Sequence, residues 1–260
     1  MRKIGNLEYQ VRQLVVRRVA PLLLRALERS SKVAETRLRR SLAIQRHVSG
    51  RGLEVGAGAS PAIVPVGCHV TYVDKYDESS LTSDPELSHL RFRGPDIVDR
   101  AETLQKIASQ SQDFVLAFSV LEHVQDPLAA LQAFARVLKP GGCAVLSVPD
   151  KRRYAPDRER PLTPFTHFLR DFREGPQVSV REHFEDVARS WYGLTGAAFD
   201  DFVRGSIERD GHCHFHVWDA ESFLSFVLAA REVIDAKLEV LEAASYGVEI
   251  LVVLRKSAAN

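Results

Sequence analysis

Short, nearly continuous apolar runs punctuate the middle of the chain at Gly52–Val55, Val70–Val73, Phe114–Phe118 and Ala144–Val148, with a weaker one near Leu90–Phe92. A strand with one wet face alternates apolar and polar residues, whereas a strand covered on both faces does not. These runs therefore predict inner strands of a mostly parallel sheet. Helices are predicted between them, from about Pro61 and over Pro127–Leu138, the second ending before Lys139-Pro140-Gly141-Gly142, where Pro and Gly force a turn. Alternation of strand and helix implies a doubly wound α/β fold with helices on both faces of the sheet.

The flanking segments break this rhythm. Residues 1–49 predict a helical arm, with one helix over about 7–29, a break at Ser30 and Ser31, and a second helix to about 48 that leads into the first strand. Residues 50–150 form the alternating core. Residues 151–211 turn rich in Arg, Asp, Pro, His and aromatics, and predict an insertion that covers the carboxyl ends of the strands, where ligands bind in open α/β sheets. Over residues 212–260 the core resumes with a helix from Asp219 to about Ile234 and two apolar segments, Leu238–Ala243 and Val248–Leu254.

Composition narrows the class. Of the 260 residues 45% are hydrophobic and 27% charged, as in an ordinary folded protein, so disorder is expected only at the ends. Cys68, Cys143 and Cys213 stand far apart without CxxC spacing, which points away from a disulfide framework or zinc cage and towards a cytoplasmic protein. Arg12, Arg17, Arg18 and Arg25 interrupt the first apolar stretch, so neither a signal peptide nor a membrane span is expected there. The net charge of +1 is uneven: the first fifty residues hold twelve Lys or Arg against three Glu. Such a basic arm can be a solvated face or can touch an anionic membrane. Without aromatic interleaving of the kind that stacks bases, no nucleic acid is expected.

The chemistry begins at Leu53-Glu54-Val55-Gly56-Ala57-Gly58. A buried strand ends here in a tight turn, and Gly56 and Gly58 lack the Cβ atoms that would keep a ligand away from the backbone. A second apolar run stops at Asp74, an acidic residue placed for a ribose diol. The turn continues Ala59-Ser60-Pro61 without the third Gly of a dinucleotide fingerprint, which argues against NAD. Glu54 suits a cofactor with positive charge and an amino-acid tail.

These blocks, with Asp96–Leu104, Ser111–Pro127 and Ala135–Gly142 in order, resemble the class I S-adenosyl-L-methionine (SAM)-dependent methyltransferases over roughly residues 50–150. The resemblance implies a doubly wound, mostly parallel seven-stranded sheet of the Rossmann-like methyltransferase fold, whose last two segments form a hairpin with an antiparallel final strand. It implies SAM as cofactor, held by Glu54, Gly56, Gly58 and Asp74. It adds an adenine contact from the Asp99-Arg100-Ala101-Glu102 segment and Ser119 near the sulfonium. Relatives carry Asp where this chain has Arg100, so Asp99 and the Ala101 backbone amide are the candidates for the adenine.

Five of the nine histidines fall between residues 167 and 216, and His212, His214 and His216 alternate, so that in an extended segment they share one face. The face reads as a polar strand, as a metal site with His167, Asp171 or His183, or as substrate and base machinery. Methyl transfer needs no metal, and none is assigned. The segment Pro149–Phe223 resembles a bacterial methyltransferase subgroup that accompanies polysaccharide and glycosyl-transfer functions. Arg160, His167, Asp171, His183, His214 and His216 fit its pattern, whereas Ser119 stands where a His is expected. The resemblance implies O-methylation of a sugar or glycan-like acceptor. A small secondary metabolite as acceptor and a non-catalytic SAM-binding protein are the alternatives. His123, His167 and His216 are the candidate bases, because imidazole titrates near neutrality, and Asp150 is a candidate to orient one of them.

Overall fold

A computed structural model describes residues 32–77, 80 and 93–257. The arm helix expected over residues 7–29, the break at Ser30 and Ser31, and the strand expected at Leu90–Phe92 lie outside the described residues. The described elements are α1 (Lys32–His47), β1 (Arg51–Val55), β2 (His69–Asp74), β3 (Ile97–Val98), β4 (Gln112–Phe118), α2 (Pro127–Val137) and β5 (Leu138–Pro149). Three helices lie between β5 and the last helix: α3 (Phe165–Glu174), α4 (Val180–Ser190) and α5 (Gly196–Glu208). The chain closes with α6 (Ala220–Val233), β6 (Leu238–Tyr246) and β7 (Glu249–Lys256).

The strands make one seven-stranded sheet in the order β3-β2-β1-β4-β5-β7-β6. Pairs from β3 to β5 are parallel, and β7 runs antiparallel to both β5 and β6. This is the fold that the apolar runs and the resemblance imply, with the terminal hairpin in its expected place.

The central strand shows why an unbroken apolar run suits this position. Phe114, Leu116 and Phe118 of β4 meet Ala43, Ile44 and Val48 at the C-terminal end of α1, while Val115 and Ala117 join the core that includes Leu131 and Phe134 of α2 and Phe223 of α6. Both faces are therefore dry, and each large side chain so buried contributes about 1.5–3 kcal/mol. The cover has its own smaller core, in which Phe184, Val187 and Val203 pack against Cys213 and Phe215.

Local expectations changed in two places. No helix follows Pro61, because Pro61–Pro65 has no regular structure. Pro65 has no N–H to return to residue 61, and the Ala62 N–H is drawn to the Glu54 carboxylate at 3.0 Å. The strand beside β2 is Ile97–Val98, within the Asp96–Asp99 stretch. Lys139–Gly142 does not separate helix from strand: β5 starts at Leu138, and these residues bulge out between the pairs Gln112↔Leu138 and Phe114↔Cys143.

Candidate active site

The strand order turns back between β1 and β4, so their carboxyl ends part and leave the crevice in which open α/β sheets take ligands. A cavity of about 360 Å³ lies there. Gly56, Asp74, Ala101, Ser119 and His123 line it, so one crevice joins five of the residues singled out from the sequence.

Gly56 has φ +65°, and a Cβ there would meet Val120 Cγ2 at 2.8 Å. Its N–H donates to Val73 O at 2.9 Å, which ties the turn to the end of β2. Asp74 follows at that end and accepts the Tyr76 N–H at 3.1 Å. Burial raises its pKa, against the lowering effect of the Tyr76 and Lys75 amides. Ser119 has φ +54°. Its hydroxyl accepts from Arg40 and donates to Glu249, each at 3.2 Å, and Arg40 also pairs with Glu249. This ties the end of β4 to α1 and β7.

The other predicted cofactor residues stand behind the wall. Glu54 is 2% exposed and fixes the loop through Ala62; burial raises its pKa to about 7. Gly58 has φ +54°, and only Gly56 O, at 4.0 Å, would face its Cβ. Asp99 accepts the Arg100 and Lys106 amides, each at 2.8 Å, so it organises the segment that presents Ala101.

His123 lies after β4, in a short 3-10 turn over Leu121–His123. Its Nδ1 is 3.0 Å from Cys213 O. A carbonyl only accepts, so Nδ1 carries the proton and Nε2 keeps its lone pair. Burial, then the neighbouring His214 and His212, lower the His123 pKa to about 3, so the ring is neutral at physiological pH. His214 directs Nδ1 to Asp157 at 2.6 Å, and its ring centroid lies 4.7 Å from that of His123. Arg160, 1% exposed, binds Asp157 at 2.7 Å, Asp186 at 2.7 Å and the His214 carbonyl at 2.8 Å. Asp157, rather than Asp150, therefore orients a histidine of this site. Asp150 accepts from Arg152 and Ser245.

His167 and His216 do not reach the cavity. They meet His183 and Asp171 in a separate cluster, where ring centroids of the three histidines lie 4.8–5.6 Å apart. Burial lowers the His216 pKa well below the ordinary value. Asp171 sits well below the usual carboxylate range: burial pushes it up, and His167, His183 and Ser179 together outweigh that.

Two features escaped sequence reasoning. Tyr76 and Gln125 join Arg100 and His212 in lining the cavity, and the two, far apart in the chain, leave no local pattern. Glu122 is 1% exposed, with neither carboxylate oxygen hydrogen-bonded, and burial raises its pKa well above the ordinary value. A charged residue inside the apolar run Val120–Val124 was the available signal for it.

The fit to SAM is direct in this geometry: a carboxylate at the end of β2, a Cβ-free backbone approach at Gly56, and the Ala101 backbone on the wall. A family model described as "Methyltransferase domain" matches residues 11–226. The chain belongs to this family. SAM is its cofactor. A probable S-adenosylmethionine-dependent methyltransferase from Mycolicibacterium smegmatis is 33% identical over 164 residues, 60% of each chain. Thiol S-methyltransferase TMT1B from Rattus norvegicus is 35% identical over 44% of this chain and 50% of its own length. A ubiquinone biosynthesis O-methyltransferase from Paracidovorax citrulli is 35% identical over 37% and 42%. The chain thus spans about half the length of the curated relatives it matches. A solved SAM-dependent methyltransferase from Methanosarcina mazei is 13% identical with a TM-score of 0.46, over 82% of this chain and 96% of that one. Among the described residues, no helix is long and apolar enough to cross a membrane.

Proposed function

We propose that this methyltransferase-family protein transfers a methyl group from SAM to an oxygen of a sugar or glycan-like acceptor, with His123 removing the hydroxyl proton. The observation that carries this reading is the tautomer of His123. Its Nδ1–H is committed to the Cys213 carbonyl, which leaves Nε2 as the acceptor on a residue that lines the cavity. When bound, SAM supplies an electrophilic methyl on a positively charged sulfur, and loss of that charge on transfer offsets the imidazolium charge created at His123. Asp74 and the Gly56 backbone bind and orient the cofactor, Ala101 shapes the adenine side, and Glu54, Gly58 and Asp99 hold these groups in place. The polar rim of Tyr76, Arg100, Gln125 and His212 suits an acceptor with several hydroxyls.

His123 is weakly basic in its buried setting, which favours a second reading, transfer to sulfur. A thiol gives up its proton near neutrality with less help, and the relatives include thiol S-methyltransferases. The deciding experiment measures transfer of labelled methyl from SAM to nucleotide sugars, glycans, small phenols and alkyl thiols, for the wild type and His123→Gln. Hydroxyl methylation that falls by roughly 10²–10⁴-fold in the variant, with S-adenosylhomocysteine affinity retained, is expected. Transfer to thiols alone would replace oxygen by sulfur. Cofactor binding without turnover on any acceptor would reject catalysis.

A further inference from the structure

The cluster outside the cavity has too many lone pairs. His216 directs Nε2 to the Gln125 carbonyl at 3.3 Å, which fixes the proton there and leaves Nδ1 buried without a partner. His167 Nε2 and His183 Nε2 face each other at 3.2 Å, and only one of the two can donate to the other. Asp171 is 0% exposed, and neither oxygen makes a well-aligned hydrogen bond, although His167 Nε2 lies 3.0 Å and His183 Nε2 3.9 Å from Oδ2. The neighbouring donors are few. The Ser179 hydroxyl is 3.3 Å from His183 Nε2 and 3.2 Å from the Pro176 carbonyl, and Arg170 Nε stays 3.9 Å from the other oxygen of Asp171. Buried polar groups left unpaired in this way are costly.

A cation answers the three histidine lone pairs at once. One ligand nitrogen from each of His167, His183 and His216 lies within 4.8 Å of the others. Ligand atoms 2.0–2.1 Å from a tetrahedral zinc ion stand about 3.3 Å apart, and the 3.2 Å between His167 Nε2 and His183 Nε2 is close to such an edge. The carbonyl that receives the outer N–H of His216 is the partner a metal-bound histidine ordinarily has. We propose that His167, His183 and His216 form a site for a divalent ion of the zinc class, with Asp171 beside His167 and His183. Its ligands come from α3, α4 and the extended segment before α6, so the ion pins the helical cover to the sheet beside the cavity. Imidazole suits such borderline ions. The site is distinct from the methyl-transfer machinery, and its occupancy is read without any acceptor.

The test uses the full chain. After stripping with a chelator, the protein is titrated with Zn²⁺ against a chromophoric chelator and with Co²⁺ by visible absorption, and its thermal midpoint is followed. Stoichiometric binding, a tetrahedral Co²⁺ spectrum and a midpoint that rises with Zn²⁺ are expected. His167→Gln removes a ligand that is only partly buried. It should weaken binding by more than the roughly 10–100-fold that loss of an outer partner costs, and Glu122→Gln should leave binding unchanged. Absence of stoichiometric Zn²⁺ binding by the stripped wild type would overturn the proposal. So would binding that survives in His167→Gln but is lost in Glu122→Gln, which would place the ion with Glu122, His123 and His214.

Discussion

Replacing Asp74 by Ala separates cofactor recognition from folding. The carboxylate stands at the end of β2 on the cavity wall, and its bond to the Tyr76 amide lies in a partly buried turn, where water can substitute. The stability cost is therefore about 1 kcal/mol or less. A charge-assisted bond to a ribose hydroxyl contributes about 1.5–3 kcal/mol, which corresponds to roughly a 10- to 150-fold rise in Kd. Asp74→Asn keeps an oxygen for Tyr76 and loses only the charge, so its effect should fall between the wild type and Ala. Burial raises the Asp74 pKa, so wild-type affinity should decline on acidification sooner than an ordinary aspartate would make it, and the Ala variant should lack that decline. Calorimetric titration with S-adenosylhomocysteine from pH 4 to 8 reads all three effects. An Ala variant with wild-type affinity and pH profile would remove Asp74 from the cofactor site.

Four further substitutions probe the frame. Gly56→Ala must hold φ +65° against Val120 Cγ2 at 2.8 Å and should lose both stability and cofactor affinity. Gly58→Ala, with only a 4.0 Å contact, should cost about 1–2 kcal/mol for its backbone while retaining affinity; equal affinity losses would count against the cradle. Glu54, raised to about 7, holds its proton more tightly folded than unfolded. Its contribution is full below about pH 4.5 and is lost as pH rises to about 7, a change of roughly 3 kcal/mol at most. Glu54→Gln should flatten the fall of the thermal midpoint across that window, and an unchanged slope would refute it. Arg160→Met leaves Asp157 buried without its cation and should cost about 3–5 kcal/mol in urea denaturation. A loss below about 1 kcal/mol would show that the network is not needed.

The sheet was legible in the sequence because its strands announce themselves one at a time: Phe114–Phe118 is apolar on both faces, and Gly56 and Asp74 end strands that can be seen without knowing their neighbours. The helix expected at Pro61 was not, because the decisive interaction joins the Ala62 amide to Glu54 across the turn and competes with a helix. Lys139–Gly142 reads as a stop signal, yet pairing with β4 absorbs it as a bulge. Asp99 was singled out because its sequence neighbourhood matches a cofactor contact, and its two oxygens accept backbone amides one and seven residues away. The alternating histidines part company: His212 lines the cavity, His214 stands beside His123, and His216 joins the separate cluster. That division depends on helices α3 and α4, which no local pattern places. Asp157 was invisible for the same reason, since its role arises from a partner about 57 positions away.

The most direct test of the account is the crystal structure of the S-adenosylhomocysteine complex. The account predicts the ribose hydroxyls within hydrogen-bond distance of Asp74, the cofactor against the Gly56 backbone, and His123 Nε2 open to the acceptor side. Cofactor bound outside this cavity, or a ribose that leaves Asp74 untouched, would contradict it.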